Sequence, residues 1–389
     1  MGGKGGTGTG PYLMSMSKTI ISHIFHKAGI NIIESENDRS ESAVIVAVHD
    51  SSFYKEVLRK GSLGLGNAYI DGKWDSASID KIVFHMLSSG IYQKLAPIYD
   101  VFRNAKSNLI NLQSKKGAKK VIQKHYDLPA VFYAAFLDPY FQYTCGFFEG
   151  TDNLNQAQIN KMHMICKKLL LKPGQRVLDI GGGWGGLGQF MTEHYGIKPV
   201  VATLSKEQAN YIRAHYDKVE VLECDYREIP DKLKGEKFDA VSAVGVFEHI
   251  GHKNYIKFMD VVNQSLKQRG RFLLHTIYTP NRKPEQNPWV EKHIFPNSEL
   301  PTKKLVESSA RKHFTIAKEN GFQELTPHYY KTLLAWNDNL TKAVESKKIK
   351  ISRQEHRKWQ YTFLSYAGSF KAEHTRIGQF LYEMDPRGG

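Results

Sequence analysis

"VLDIGGGWGG", residues 177–186, decides the fold. The apolar run "RVLDI" (176–180) reads as a buried strand with Asp179 near its end. Four of the six residues after Asp179 are glycine, and the helix-like "LGQFMTEHY" (187–195) follows. Glycines there let the backbone take positive φ and approach a ligand closely. Strand, glycine turn and helix form the opening unit of a nucleotide-binding α/β sheet, whose ligands lie at the carboxyl ends of the strands.

The flanking sequence keeps the alternation. "NQAQINKMHMICKKLLL" (155–171) places Ile159, Met162, Cys166 and Leu169 at three- and four-residue steps, which predicts an amphipathic helix ended by "KPG". "PVVATL" (199–204), "VEVLECD" (219–225), "FDAVSAVG" (238–245) and "RFLLHTI" (271–277) read as strands. "SKEQANYIRAHY" (205–216) and "NYIKFMDVVNQSLK" (254–267) read as helices between them. The pattern predicts a doubly wound α/β domain with a parallel sheet.

The glycine spacing argues against a nicotinamide dinucleotide. It is D-x-G-x-G-x-G, tighter than G-x-G-x-x-G, and the next strand runs into "ATLSKEQ" (202–208) without an acid at its end. Asp179, Gly181 and Gly183 resemble the S-adenosyl-L-methionine (AdoMet) loop of class I methyltransferases. Thr203, Leu204, Ser205 and Gln208 then fall where the adenosine end would lie, although Ser205-x-x-Gln208 is also a helix capping box. Asp225 and Tyr226 follow the third strand, where class I enzymes hold the adenine; a plain surface turn is the alternative for Asp225.

Composition bounds the rest. A chain of 389 residues with 41% hydrophobic and 24% charged residues is globular, with room for two or three domains. No apolar run reaches the ~18–20 residues of a membrane helix, and no signal peptide opens the chain. Residues 1–14, "MGGKGGTGTGPYLM", are set apart as a leader. The three cysteines, Cys145, Cys166 and Cys224, are widely spaced, which argues against a disulfide framework and a CxxC metal site, and fits a reducing cytoplasm.

The net charge is +15, from 54 basic and 39 acidic residues, which suits a polyanionic partner. The charge is also local: residues 101–125 hold seven Lys or Arg and no acid, with Leu109, Ile110, Leu112, Val121 and Ile122 among them. Beyond it lies "FYAAFLDPYFQYTCGFF" (132–148), in which eight of seventeen residues are aromatic. A basic, partly amphipathic stretch beside an aromatic one favours an anionic membrane surface over nucleic acid, and no RNA module is recognisable.

Seven motifs, in order, carry a family resemblance: "GSLGLGNAYIDGKW" (61–74), "KHYDLPAVFYAAFLDPYFQYTCGFF" (124–148), "DIGGGWGGLGQFM" (179–191), "VGVFEHIGHKNY" (244–255), "FLLHTI" (272–277), "PWVEKHIFPN" (288–297) and "HYYKTLLAW" (328–336). Together they resemble the cyclopropane-fatty-acyl-phospholipid synthases over nearly the whole chain. The C-terminal part alone would also fit mycolic acid methyltransferases and some plant-type N-methyltransferases. The first motif and the linker "NLQSKKGAKK" (111–120) favour the bacterial phospholipid enzymes. The chain departs from the family at Gly182, where "DIGCGWGG" is usual, and at Pro129 and Ala130 after "HYDL".

The resemblance implies a class I AdoMet-dependent, Rossmann-like catalytic domain (125–389), a basic linker (100–124) and a smaller, mostly helical N-terminal lipid-binding domain (15–99). It implies a peripheral enzyme of the cytoplasmic membrane face, acting as a homodimer on unsaturated acyl chains of membrane phospholipids. The alkene would attack the AdoMet methyl, and a bound bicarbonate would take a proton from the transferred carbon as the ring closes. Carried over motif by motif, the bicarbonate ligands are Cys145, Glu248, His275, Ile277 and Tyr329, with Cys145 and Ile277 acting through backbone groups. Tyr143 and Thr144 align with positions at the methionine end of AdoMet. The rings around Tyr140, Tyr143, Phe147 and Phe148 would line an acyl pocket, and His125, Tyr126 and Asp127 either serve the site or cap a helix. Methyl transfer to a lipid alkene without ring closure is the alternative chemistry.

Overall fold

A computed structural model of the chain describes residues 10–35, 44–91, 129–280, 287–296 and 298–384. The expected linker, and His125, Tyr126 and Asp127 after it, lie outside the described residues. The chain divides into two compact units, residues 1–106 with 351–372 and residues 107–350 with 373–389.

In the first unit, β1 (Asn31–Ile33) pairs parallel with β2 (Ile45–Val48), and β2 pairs antiparallel with β3 (Trp74–Asp75). Helices Gly10–Lys27, Ser52–Ile70, Ile79–Ser88 and Arg353–Lys371 complete it. The first of these starts inside the stretch set apart as a leader. The glycine-rich motif supplies the second half of helix Ser52–Ile70, which kinks at Gly61 (φ 54°, ψ −130°), and runs on to Trp74 of β3. Phe25, Phe53 and Trp74 form the core, with Tyr69 at 5.1 Å from Trp74. Helix Arg353–Lys371 belongs here although it is distant in sequence: Tyr361 meets Tyr69 at 5.8 Å, and Arg357 hydrogen-bonds the carbonyls of Tyr69 and Trp74.

The second unit is built on β4 (Arg176–Ile180), β5 (Lys198–Thr203), β6 (Glu220–Glu223), β7 (Phe238–Val244), β8 (Leu266–Tyr278), β9 (Phe314–Ile316), β10 (Phe322–Glu324) and β11 (Arg376–Met384). Their order is β10-β11-β8-β7-β4-β5-β6, with β9 also on β11. The five strands expected from the sequence, β4 to β8, run parallel. The sheet as a whole is mixed, because β11 enters antiparallel between β8 and β10. β8 is also longer than expected, starting directly after helix Tyr255–Ser265.

Both faces of this sheet are buried at its centre, so β4, β5, β7 and the second half of β8 are apolar almost throughout, while the edge strand β6 is partly exposed. Leu178, Phe272 and Tyr382 face Phe258 of helix Tyr255–Ser265 and Val306 of helix Lys303–Ala310. Their neighbours Val177, Leu273 and Leu381 face Met162 and Ile165 of helix Leu154–Lys168 and Phe190 of helix Gly186–Tyr195. Each such side chain contributes about 1.5–3 kcal/mol by burial. From β4 the chain winds outward to β5 and β6, then crosses back to β7 and β8 on the other side. The strand order therefore reverses between β4 and β7, and their carboxyl ends open the crevice where ligands of such sheets bind.

Candidate active site

The glycine turn sits at that reversal. Gly181 has φ 72°, and a Cβ on it would stand 2.6 Å from Val246, in the loop after β7. Gly183 has φ 57°, but a Cβ there would meet nothing within 4 Å among the described residues. One glycine is demanded by the protein around it; the other faces open space that a ligand can fill. Asp179 is buried and accepts a 2.7 Å hydrogen bond from Ser242, its register partner on β7. Burial pushes its carboxyl up to about 6. A Cβ at Gly182 would lie 2.4 Å from this carboxylate and 2.7 Å from Val201, so the cysteine usual in the family would require both to shift.

The carboxyl ends of β5 and β6 hold the residues expected at the adenosine end. Ser205 caps helix Lys206–His215 by accepting from the Gln208 amide at 3.3 Å. The capping box is only half made, because the Gln208 side chain turns to the Thr203 hydroxyl, which donates to it at 2.7 Å. Leu204 lies between Thr203 and the cap, after the last residue of β5. Asp225 accepts from the Arg227 amide at 3.0 Å, and its Oδ2 is buried without a partner among the described residues. That orphaned acceptor fits an adenine amino group. The Tyr226 ring instead packs inward on Phe258, at 5.3 Å.

The aromatic stretch lies against this turn. A Cβ at Gly186 would clash with the Tyr140 carbonyl at 1.8 Å, so only glycine allows the approach. Tyr133, Phe136, Tyr143, Trp184 and Trp336 form one connected ring cluster, and Tyr329 joins it through Trp336 at 6.0 Å. Tyr140 is engaged elsewhere, donating to Glu193 at 2.7 Å and packing on Phe190, while Phe147 packs on His328. Thr144 Oγ1 accepts from Lys161 at 2.8 Å, and its methyl lies where a Cβ on Gly245, just past β7, would stand.

The expected anion ligands arrive on separate elements. Glu248, in a 3₁₀ turn after β7, accepts the Ile277 amide at 2.6 Å through Oε1. Its Oε2 is buried without a partner among the described residues, and burial pushes the carboxyl up to about 7. His275 lies two residues before Ile277, so both side chains face the same side of β8. Its Nε2 is likewise buried and unpartnered, and burial, then the charges of Lys161 and Lys168, hold the ring well below the usual histidine range. Cys145 directs Sγ to the Gly146 carbonyl at 3.2 Å and, at 3.8 Å, to that of Leu325; burial pushes its thiol up, away from nucleophilic use. Tyr329 follows on helix Thr326–Glu345, its amide bonded to the same Leu325 carbonyl. Two hydrogen bonds, Gly146 N to Thr332 and Phe148 N to His328, lace the Cys145 segment to that helix. The Ile277 amide is thus used by Glu248 and holds it in place.

Periodicity missed the polar residues beneath the site. Lys161 is fully buried, donating to Gln142 and Thr144 at 2.8 Å each, and burial pulls it down to about 8. Gln158 and Lys168 are buried from the same helix, and Gln379 from β11. The available signal was a lysine inside an apolar stripe, between Gln158 and Met162, where only a satisfied charge is tolerated.

Residues 113–380 match the family model for mycolic acid cyclopropane synthetase. The chain is 36% identical over 373 residues to the cyclopropane-fatty-acyl-phospholipid synthase of Escherichia coli (strain K12), covering 95% of this chain and 94% of that protein. Among solved structures, the cyclopropane synthase MmaA2 from Mycobacterium tuberculosis superposes with a TM-score of 0.62 at 30% identity, over 68% of this chain and 98% of that one. The mycolic acid cyclopropane synthase CmaA1, solved with SAH and CTAB, gives 0.60 at 30% identity, over 68% and 98%. With its strand order, its glycine turn and these similarities together, the chain belongs to the cyclopropane synthase family of AdoMet-dependent class I methyltransferases.

Proposed function

We propose that the chain transfers a methylene group from AdoMet to the cis double bond of an unsaturated acyl chain in a membrane phospholipid, closing a cyclopropane ring. The observation that carries this reading is the pair of buried polar atoms, Glu248 Oε2 and His275 Nε2, beyond the carboxyl end of β7 and on β8, that have no partner among the described residues. Burying such groups unpaired costs free energy, so a polar ligand between them fits. When bound, AdoMet would supply the electrophilic methyl and leave as S-adenosylhomocysteine, and bicarbonate would supply a base for the proton lost as the ring closes.

Glu248 accepts a hydroxyl hydrogen at Oε2 and orients the anion, while His275 and Tyr329 donate to it. Cys145 and Ile277 act from behind, Cys145 through its thiol on the Leu325 carbonyl that also takes the Tyr329 amide, and Ile277 through its amide on Glu248. The rings of Tyr133, Phe136, Tyr143, Trp184 and Trp336 offer quadrupoles to a transient carbocation without attacking it, each worth about 0.5–2 kcal/mol. An alkene is a poor nucleophile, and orientation in a dry site supplies much of the rate. Gly183, Thr203, Gln208 and Asp225 hold AdoMet along the carboxyl edge of β4 to β6.

The protein reaches its lipid as a cytoplasmic, peripheral homodimer, drawn to anionic headgroups by the basic residues of 101–125. None of the described helices is long and apolar enough to cross a membrane. The test uses purified protein, methyl-labelled AdoMet and vesicles of an anionic, cis-monounsaturated phospholipid, with bicarbonate present or removed. NMR of the extracted chains should show cyclopropane protons that weaken without bicarbonate. Branched-alkene signals instead would establish methylation without ring closure, and unlabelled lipid despite AdoMet binding would move the substrate elsewhere.

A further inference from the structure

His275 on β8 and Gln379 on β11 are register partners across the antiparallel pair, and both are fully buried. Gln379 Nε2 lies 3.2 Å from His275 Nδ1. The other end of the same amide, Oε1, accepts from Lys168 Nζ at 2.8 Å. Lys168 sits in the last turn of helix Leu154–Lys168, whose end is held by Arg271, donating to the Lys168 carbonyl at 3.0 Å. The three side chains form a line, Lys168 to Gln379 to His275, that ends at Nε2, which has no partner among the described residues.

The chemistry of the line is directional. A lysine ammonium has donors only, so the Gln379 oxygen must face it and the amide N–H₂ must face the imidazole. A donor at Nδ1 requires a lone pair there, and in a neutral ring the proton then sits on Nε2. A protonated ring would place N–H against N–H. We propose that Lys168 and Gln379 are positioning residues that hold His275 neutral and protonated on Nε2, so that this atom offers the site an N–H rather than a lone pair. This rests on the reading of a bound oxyanion beside Glu248, for which a donor at that atom is the useful state; with the tautomer reversed, two lone pairs would meet.

The test is the tautomer itself, read by NMR on full-length protein labelled with ¹⁵N-histidine, without AdoMet or lipid. A His275→Gln variant assigns the resonance. Expected is an unprotonated Nδ1 and a protonated Nε2; the reverse pattern, or a doubly protonated ring, overturns the proposal. Gln379→Glu presents an acceptor to Nδ1 and should move a proton there, lowering kcat about 10–100-fold with the KM values for AdoMet and lipid little changed. Lys168→Met should lower kcat less and leave both tautomers populated, because the amide is then free to turn; if Gln379→Glu does not fold, this variant and the wild-type spectrum decide. A wild-type spectrum retained in Lys168→Met and Gln379→Glu, with kcat unchanged, also overturns it. Titration of the wild type with bicarbonate separates the two readings. Failure of bicarbonate to shift the Nε2 resonance or raise the rate, with the expected tautomer present, sinks the oxyanion reading and leaves the tautomer assignment standing.

Discussion

Glu248 accepts the Ile277 amide at 2.6 Å through one carboxylate oxygen and keeps the other buried without a partner among the described residues. Burial raises its carboxyl from the ordinary 4.5 to about 7. Between those values the unfolded chain has already lost the proton that the folded one keeps, so stability is full at low pH and falls as pH rises through about 7. Glu248→Gln keeps an oxygen for the Ile277 amide and removes this titration. It should be more stable than wild type at pH 8, by about 3 kcal/mol at most, and no more stable at pH 4. It should also lose about 10²-fold or more in rate, because a neutral amide accepts a hydroxyl hydrogen less well. Urea melts of both proteins at the two pH values check the first half; equal differences at both would mean the carboxyl is not raised.

The two glycines of the turn should respond differently to the same methyl group. Gly181→Ala drives a Cβ to 2.6 Å from Val246 at φ 72°. It should lower the melting temperature and AdoMet affinity together. Gly183→Ala meets no non-neighbouring atom within 4 Å among the described residues, so its φ of 57° is what is at stake there, about 1–2 kcal/mol of backbone strain. Its methyl would enter the space assigned to AdoMet, and affinity should fall by more than that strain explains. Thermal melts paired with calorimetric AdoMet titrations read both quantities. Normal affinity in Gly183→Ala would move AdoMet off this turn.

Strands β4, β5, β7 and the second half of β8 were legible because each is a short apolar run between turn signals, which burial on both faces imposes, and the edge strand β6 shows as Val and Leu between acids. Strands β9 and β10 are three residues each and too short to show a period. The place of helix Arg353–Lys371 in the first unit was not legible, since it depends on Arg357 meeting carbonyls at Tyr69 and Trp74. Glu248, His275 and Ile277 were readable as motif positions, but the bond between Glu248 and Ile277 depends on where β7 stops beside β8. Lys161, Lys168 and Gln379 escaped because a lysine or glutamine ordinarily reads as surface.

Vesicle binding should depend on salt. The seven basic residues of 101–125, with no acid among them, would each contribute about 1 kcal/mol near an anionic surface, through an interaction that ions screen. Sedimentation with phosphatidylglycerol vesicles should show strong binding at low salt and much weaker binding at high salt. Replacing Lys115, Lys116, Lys119 and Lys120 by glutamine should flatten that dependence while leaving AdoMet binding intact. Equal affinity at both salt concentrations in the wild type would remove the electrostatic route to the membrane.

Arg357 tests what holds the first unit together. Its guanidinium is buried under the Tyr69 ring at 3.8 Å and donates to the Tyr69 carbonyl, the Trp74 carbonyl and Asp75, at 2.6, 2.8 and 2.6 Å. Asp75 is 42% exposed, so water screens the ion pair and its loss should be mild. Without Arg357 the Trp74 carbonyl loses this donor, and the Tyr69 carbonyl keeps, among the described residues, only the Gly72 amide, at 2.9 Å. Arg357→Ala removes the buried charged donor shared by these carbonyls and should cost about 1.5–3 kcal/mol, whereas Asp75→Asn should cost under about 1 kcal/mol. Arg357→Lys should stay near the alanine variant, because a point charge on a flexible stem cannot donate along three fixed directions. Denaturant melts of the three variants rank these terms. A large loss in Asp75→Asn, matching Arg357→Ala, would mean that the ion pair and not the backbone carbonyls anchors the helix.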